Sequence, residues 1–362
     1  MSINTSVNVE ISLSVFQEEE LCRLAGTQLS NGALPMTSLL PGESIRVCPY
    51  FSSFAALALL CDPLRYAENV RQYMDWHFSH LNTADKDVNR QDGTIYDYLI
   101  RESNGIYTET PLCDGEGRPT YDSTDSYAAL FLVVLAEYAE KTGDRQYLTR
   151  HTPEIQRVVS AMLSTLNNGL TRAKPDYPVK YTMDNSETAW GLRAALRLCG
   201  WVPGLNAGFL HGILANLLQT MERSLWNRDQ GYYEVGLDGR DLPVVPVFDW
   251  RQFYPDAMAQ AFPILTEILP PDSGRAEYLY HELLRYYPPS AINGDMLINA
   301  SLLSLTAARM NDAASARQYL AVHQAAFCRP RRPETITCQG YAFGILTASS
   351  LRKQEEEKMA IE

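Results

Sequence analysis

Apolar residues recur at helical spacing in twelve separate segments of the chain: residues 17–30, 50–61, 64–81, 124–141, 145–167, 185–200, 205–226, 255–269, 274–287, 294–309, 313–327 and 339–352. The segments form six pairs of unlike members. The second of each pair is apolar around nearly its whole circumference, as in YAALFLVVLAEYA, AMAQAFPILTEI, MLINASLLSLTAA and YAFGILTASSL. Helices of that kind lie inside a protein. The first members, such as LRYAENVRQYMDWHFSHL and GRAEYLYHELLRYY, have one charged and one apolar face and belong at the surface.

The connections are as uneven as the helices. Each inner segment is left through a short turn rich in Gly, Pro, Asn or Asp: Asp62-Pro63, Thr142-Gly143-Asp144, residues 201–204, residues 270–274 and Asn311-Asp312. The inner segments are often entered through long aromatic-rich loops, residues 31–49, 82–123, 168–184 and 227–254. Alternation of outer and inner helices places all these loops at one end. Six outer-inner hairpins with this asymmetry predict an all-α fold, a closed (α/α)6 barrel. Its cleft is expected over the amino-terminal ends of the inner helices, where free N–H groups and helix dipoles converge. The loops QDGTIYDYLIRESNGIYTET and QGYYEVGLDGRDLPVV alternate and contain Gly turns, so small β-hairpins are expected on that face. The expectation is a single domain over 1–362 with flexible ends at 1–15 and 353–362. An open helical solenoid is the competing architecture, but no repeat of fixed period is present.

Composition narrows the partners. A net charge of −12 opposes binding to a phosphate backbone, so no nucleic-acid partner is expected. Seven cysteines, odd in number and without a Cys-x-x-Cys pair, suggest neither a disulfide framework nor a zinc site. No Gly-rich phosphate loop, Gly-x-Ser-x-Gly elbow or His-Glu-x-x-His motif occurs, and no cofactor or metal is called for. The amino-terminal MSINTSVNVEISLSV lacks the basic start and continuous apolar core of a signal peptide, and no stretch is long enough to span a bilayer. A cytoplasmic location without a membrane partner is the expectation. Oligomeric state is not legible.

The pairs of helices, together with PYFSSFAALAL, DSTDSYAALFLVVLAEYAEKTGDRQYL, MDNSETAWGLRAALRLCG and LWNRDQGYYEVGLDGR, give the sequence a resemblance to the six-hairpin glycosidase superfamily. The resemblance spans nearly the whole chain and implies an (α/α)6-barrel glycoside hydrolase, without assigning a family. The Ser/Thr-Asp-x-Asp arrangement of the barrel endoglucanases is only approximated by DSTDS, in which the acids are spaced more widely.

Cleavage of a glycosidic bond typically uses one carboxylic acid to protonate the leaving oxygen and one carboxylate to activate water or attack the sugar. Acids where a long loop meets an inner helix are Glu43, Asp122, Asp125, Asp184, Glu187, Asp256, Asp295 and Glu334. The pairs Asp122/Asp125 and Asp184/Glu187 also fit a capping box, in which both side chains serve only the helix end. Ser123, Thr124 or Ser186 can cap in their place, which favours Glu187 as general acid and Asp125 as base or nucleophile. Asp256 and Glu334 stand in reserve. Asp122, Asp184, Tyr50, Tyr96, Trp190, Trp250, Tyr254 and Tyr341 are candidates for sugar binding, since aromatic faces stack on the C–H faces of sugars. Arg46, Lys180 and Arg251 also fall on the cleft loops, where they can meet an acidic sugar or balance the carboxylates. All six histidines fall in outer helices, which disfavours an isomerase that moves protons with inner-helix histidines. The reading is a glycosidase acting on an oligo- or polysaccharide. A polysaccharide lyase or sugar isomerase on the same barrel, and a non-catalytic carbohydrate-binding protein, are the alternatives.

Overall fold

The computed structural model describes residues 12–36, 44–103, 105–292, 296–327 and 337–361. Its helices follow the expected pairing. An outer helix α1 (Leu13–Gly26) precedes an inner α2 (Pro49–Leu59), and α3 (Pro63–Ser79) precedes α4 (Asp125–Thr142). A short α5 (Arg145–Arg150) and α6 (Thr152–Ser164) precede α7 (Thr182–Leu198), and α8 (Ala207–Thr220) precedes α9 (Met258–Leu265). The last pairs are α10 (Gly274–Tyr286) with α11 (Leu297–Arg309), and α12 (Ala313–Phe327) with α13 (Cys338–Ile361). Helix α2 packs on α4, α4 on α7, α7 on α9, α9 on α11, α11 on α13, and α13 back on α2. The inner helices thus close a ring, and the chain is an (α/α)6 barrel rather than a solenoid.

Local chemistry sets the helix starts. Asp62, Asp144, Asn206 and Ser273 each stand before an outer helix and accept a bond from a backbone N–H three residues on. The short turns between hairpins are therefore built from the caps of the next helix. The expected helix 145–167 is divided at His151, because Pro153 lacks the N–H that a continuous helix would need there. Helix α13 runs on to Ile361, past the expected end at 352, and the pair Lys353/Glu357 lies at helical spacing on this extension.

The strands lie where the inner helices begin. Strand β1 (Ile45–Val47) leads into α2 and pairs antiparallel with β2 (Tyr98–Ser103), which pairs with β3 (Ile106–Pro111). Two-residue pairings join β4 (Leu166–Asn167) to β5 (Leu170–Thr171), β6 (Lys180–Tyr181) to β9 (Gly236–Leu237), and β7 (Trp226–Asn227) to β8 (Tyr232–Tyr233). Both alternating loops named above thus contribute strands. Among the described residues, no helix is long and apolar enough to cross a membrane.

One contact fixes the spacing of the two helices that bear most of the acids. A Cβ added at Gly191 of α7 would sit 2.5 Å from the Cα of Ala129 and 2.6 Å from its Cβ, both on α4. Glycine is what lets the two backbones approach. Gly191→Ala must push the helices apart, and a loss of about 1–3 kcal/mol is expected from the denaturant midpoint at unchanged slope.

Candidate active site

A cleft of about 600 Å³ opens at the amino-terminal ends of the inner helices. All six contribute to its wall: Tyr50 from α2, Ser126 from α4, Asp184 from α7, Met258 from α9, Leu302 from α11 and Phe343 from α13. Phe262 and Phe343 also border a second hollow of about 450 Å³, in whose walls Trp190 and Glu187 stand.

Four carboxyl groups gather beneath the cleft. Asp125 opens α4 and is fully buried; its Oδ1 accepts from the Ser126 N–H at 2.9 Å, and its Oδ2 has no hydrogen-bond partner among the described residues. Glu187, one turn into α7, is 1% exposed, and its Oε1 accepts from the Tyr50 hydroxyl at 2.6 Å. Asp184 is half-buried in the cleft wall, and Asp122 is exposed within the cleft.

Crowding and burial keep protons on this cluster. Burial is the largest cause at Glu187, with repulsion from Asp125 and Asp122 added and the Tyr50 hydroxyl opposing, and together they raise its pKa to about 8. Burial raises Asp125 to about 7, against hydrogen bonds from Thr171 and the Ser126 backbone. Asp184 is pushed well upward by burial and then by Asp125 and Glu187. Asp122 is raised by its enclosure and by Asp97, but Lys174 and Arg46 pull it back toward the charged form. At neutral pH the cluster therefore holds a protonated acid in Glu187 beside the least enclosed carboxylate, Asp122. One site thus supplies both a proton donor and a proton acceptor.

The remaining sequence candidates divide sharply. Arg46 lines the cleft and donates from Nη2 to Asp97 Oδ2 at 2.7 Å, and Tyr254, 68% exposed, stands at its lip. Trp190 faces the second hollow instead. Tyr96 is buried, stacks on Tyr121 and binds the backbone of Lys86 and Val88 through its hydroxyl. Trp250 stacks on Tyr286, and exposed Arg251 pairs with Asp249. Tyr341 is buried edge-on to His323. None of these five borders the cleft, because each is engaged in packing or in a local loop contact. Asp256 is buried as a loop anchor, accepting at 2.9 Å from both the Asp249 N–H and Gln252 Nε2. Lys180 is buried in an ion pair with Asp241. Glu43, Asp295 and Glu334 lie outside the described residues.

The geometry adds residues that the sequence did not single out. Asp97 accepts from Arg46 and, through Oδ1, from the Tyr127 hydroxyl at 2.9 Å, tying β2 to the start of α4. Lys174 reaches the cleft from the loop after β5. Alternation in TIYDYLI was the available signal for Asp97, since Ile95, Asp97 and Leu99 share one side of an extended segment. No histidine borders the cleft; His77 is buried face-on against Phe131 between α3 and α4. Among the described residues no three His, Cys, Asp or Glu side chains are arranged to hold a metal ion.

No protein-family model and no curated protein matches the sequence. Solved structures match by fold. A glycosidase variant in complex with glucose aligns over 94% of this chain and 97% of its own at 14% identity, with a TM-score of 0.65. A rhamnosidase from Klebsiella oxytoca with rhamnose bound aligns over 94% and 64% at 14% identity and a TM-score of 0.62. Rex8A from Paenibacillus barcinonensis, complexed with xylose, aligns over 94% and 93% at 11% identity and a TM-score of 0.59. At these identities the likeness is one of fold.

Proposed function

We propose that the protein is a glycoside hydrolase in which Glu187 protonates the leaving oxygen and a second carboxylate assists water or attacks the sugar. The single observation behind this reading is the gathering of Asp122, Asp125, Asp184 and Glu187 beneath one cleft, with proton affinities spread by burial. The solved structures of like fold, which hold glucose, rhamnose and xylose, favour a sugar as the ligand. Glu187 lies behind Tyr50, a lining residue of the cleft, whose hydroxyl orients its carboxyl group. Asp122 is the second carboxylate, since it is the acid most open to water and Lys174 and Arg46 offset part of the rise in its proton affinity. Asp125, with no face on the cleft, holds the start of α4 and adds to the repulsion that keeps Glu187 protonated.

The test is a panel of oligo- and polysaccharides assayed for new reducing ends and for ultraviolet absorbance together. A hydrolase releases reducing ends alone; a product with a new double bond would make the protein a lyase, and silence on every substrate would leave a binding protein. On a cleaved substrate, Asp122→Asn is expected to lower kcat by about 10²–10⁴-fold, the usual worth of a positioned acid or base. Full activity of D122N beside an inactive Glu334→Gln enzyme would move the second role to the last hairpin.

A further inference from the structure

Lys174 is a cation in the cleft wall without a carboxylate within ion-pair distance among the described residues. It is half-buried, and its Nζ donates to the Tyr121 carbonyl at 3.2 Å and stands 6.0 Å from the ring centres of both Tyr121 and Tyr177. One carbonyl and two ring faces place the ammonium group but leave it two free N–H donors and no counter-charge in contact. The other cleft cation, Arg46, already has its partner in Asp97. Beside Lys174 the lip is walled by aromatic rings. Tyr177 is 46% exposed and its hydroxyl lies 3.0 Å from that of Tyr181, while Tyr254 is 68% exposed. Exposed tyrosines gathered next to an ammonium group with no carboxylate in contact suit a flat sugar ring that carries an anionic group.

Resting on the glycosidase reading above, we propose that the lip of the cleft recognises a sugar unit bearing an anionic substituent, with Lys174 as its counter-ion and Tyr177 and Tyr254 as its stacking wall. A carboxylate or a phosphate would meet the ammonium alike, so the test contains both. Binding of glucuronate, galacturonate and glucose 6-phosphate to the full chain is compared by calorimetry with that of glucose and galactose. Each anionic sugar is expected to bind at least about tenfold more tightly than its neutral parent, and 0.5 M NaCl is expected to weaken the anionic sugars selectively. Tighter binding of the uronates alone marks a carboxylate site, and of the phosphate alone a phosphate site. Lys174→Gln should erase the preference of anionic over neutral sugars, and Lys174→Arg should retain most of it. Equal binding of anionic and neutral sugars, or a preference that survives K174Q, overturns the proposal and leaves the glycosidase reading standing. Failure of every sugar to bind, together with silence in the cleavage panel, removes both.

Discussion

Glu187→Gln is expected to lower kcat by about 10²–10⁴-fold, through loss of a positioned proton donor, while leaving the fold at least as stable as the parent near pH 7. The two halves of this expectation share one cause. Burial and neighbouring acids hold the Glu187 pKa near 8, so the side chain is already a neutral acid in the folded protein at pH 7. Glutamine copies that neutral form in size, and its carbonyl can still accept from the Tyr50 hydroxyl. What it lacks is a proton to give. Turnover measured beside a thermal melt separates this from damage to the barrel. Parent-like turnover in E187Q would remove Glu187 from the mechanism.

The second large effect concerns pH. In an unfolded chain Asp125, Asp184 and Glu187 ionise near 4, whereas in the folded protein Asp125 and Glu187 keep their protons to about 7 and about 8, and Asp184 is likewise pushed well upward. Between those limits the folded state binds more protons than the unfolded one, so stability must fall as pH rises. The cluster's contribution is complete below about pH 4 and lost by about pH 8. Elsewhere Asp238, Asp249 and Asp312 have lowered proton affinities and act in the opposite sense below the ordinary carboxylate range, and His77 and His323, whose proton affinities burial lowers, do so up to the ordinary imidazole value near 6.5. A tenfold change in proton affinity is worth about 1.4 kcal/mol, so Tm is expected to drop by roughly 5 °C between pH 6.5 and 8.5, above the range in which the histidines oppose the cluster. Asp184→Asn and Glu187→Gln should each flatten the slope. A parent Tm that is level or rising over this interval would contradict the buried, protonated cluster.

The barrel was legible because its signal is spread over long elements. Helices such as α4, apolar on every side, have only one kind of place in a fold, and the short capped turns leave little choice of neighbour. The site was legible only in part. Asp122, Asp125, Asp184 and Glu187 were found because they stand at helix starts, which a sequence marks well. Trp190 was misjudged by depth: it lies one turn beyond Glu187 on α7, about 4.5 Å further along the axis, and like Glu187 it stands in the wall of the second hollow. Tyr96, Trp250 and Tyr341 are aromatic residues of the right loops or helix starts, yet their rings are spent on neighbours, which depends on how the loops fold over one another. Lys174 escaped notice for the same reason. Nothing in its local sequence shows that a turn brings it over Tyr121.

The ring joint between α13 and α2 governs when this protein comes into being. Those partners lie far apart in the sequence, so a ribosome must make everything from α2 through α13 before the circle can shut. Until then the flanks of both helices are bare and greasy, an invitation to chaperones and proteases. Nascent chains cut short before Cys338 should be cleared by the cell rather than persist as weakened barrels.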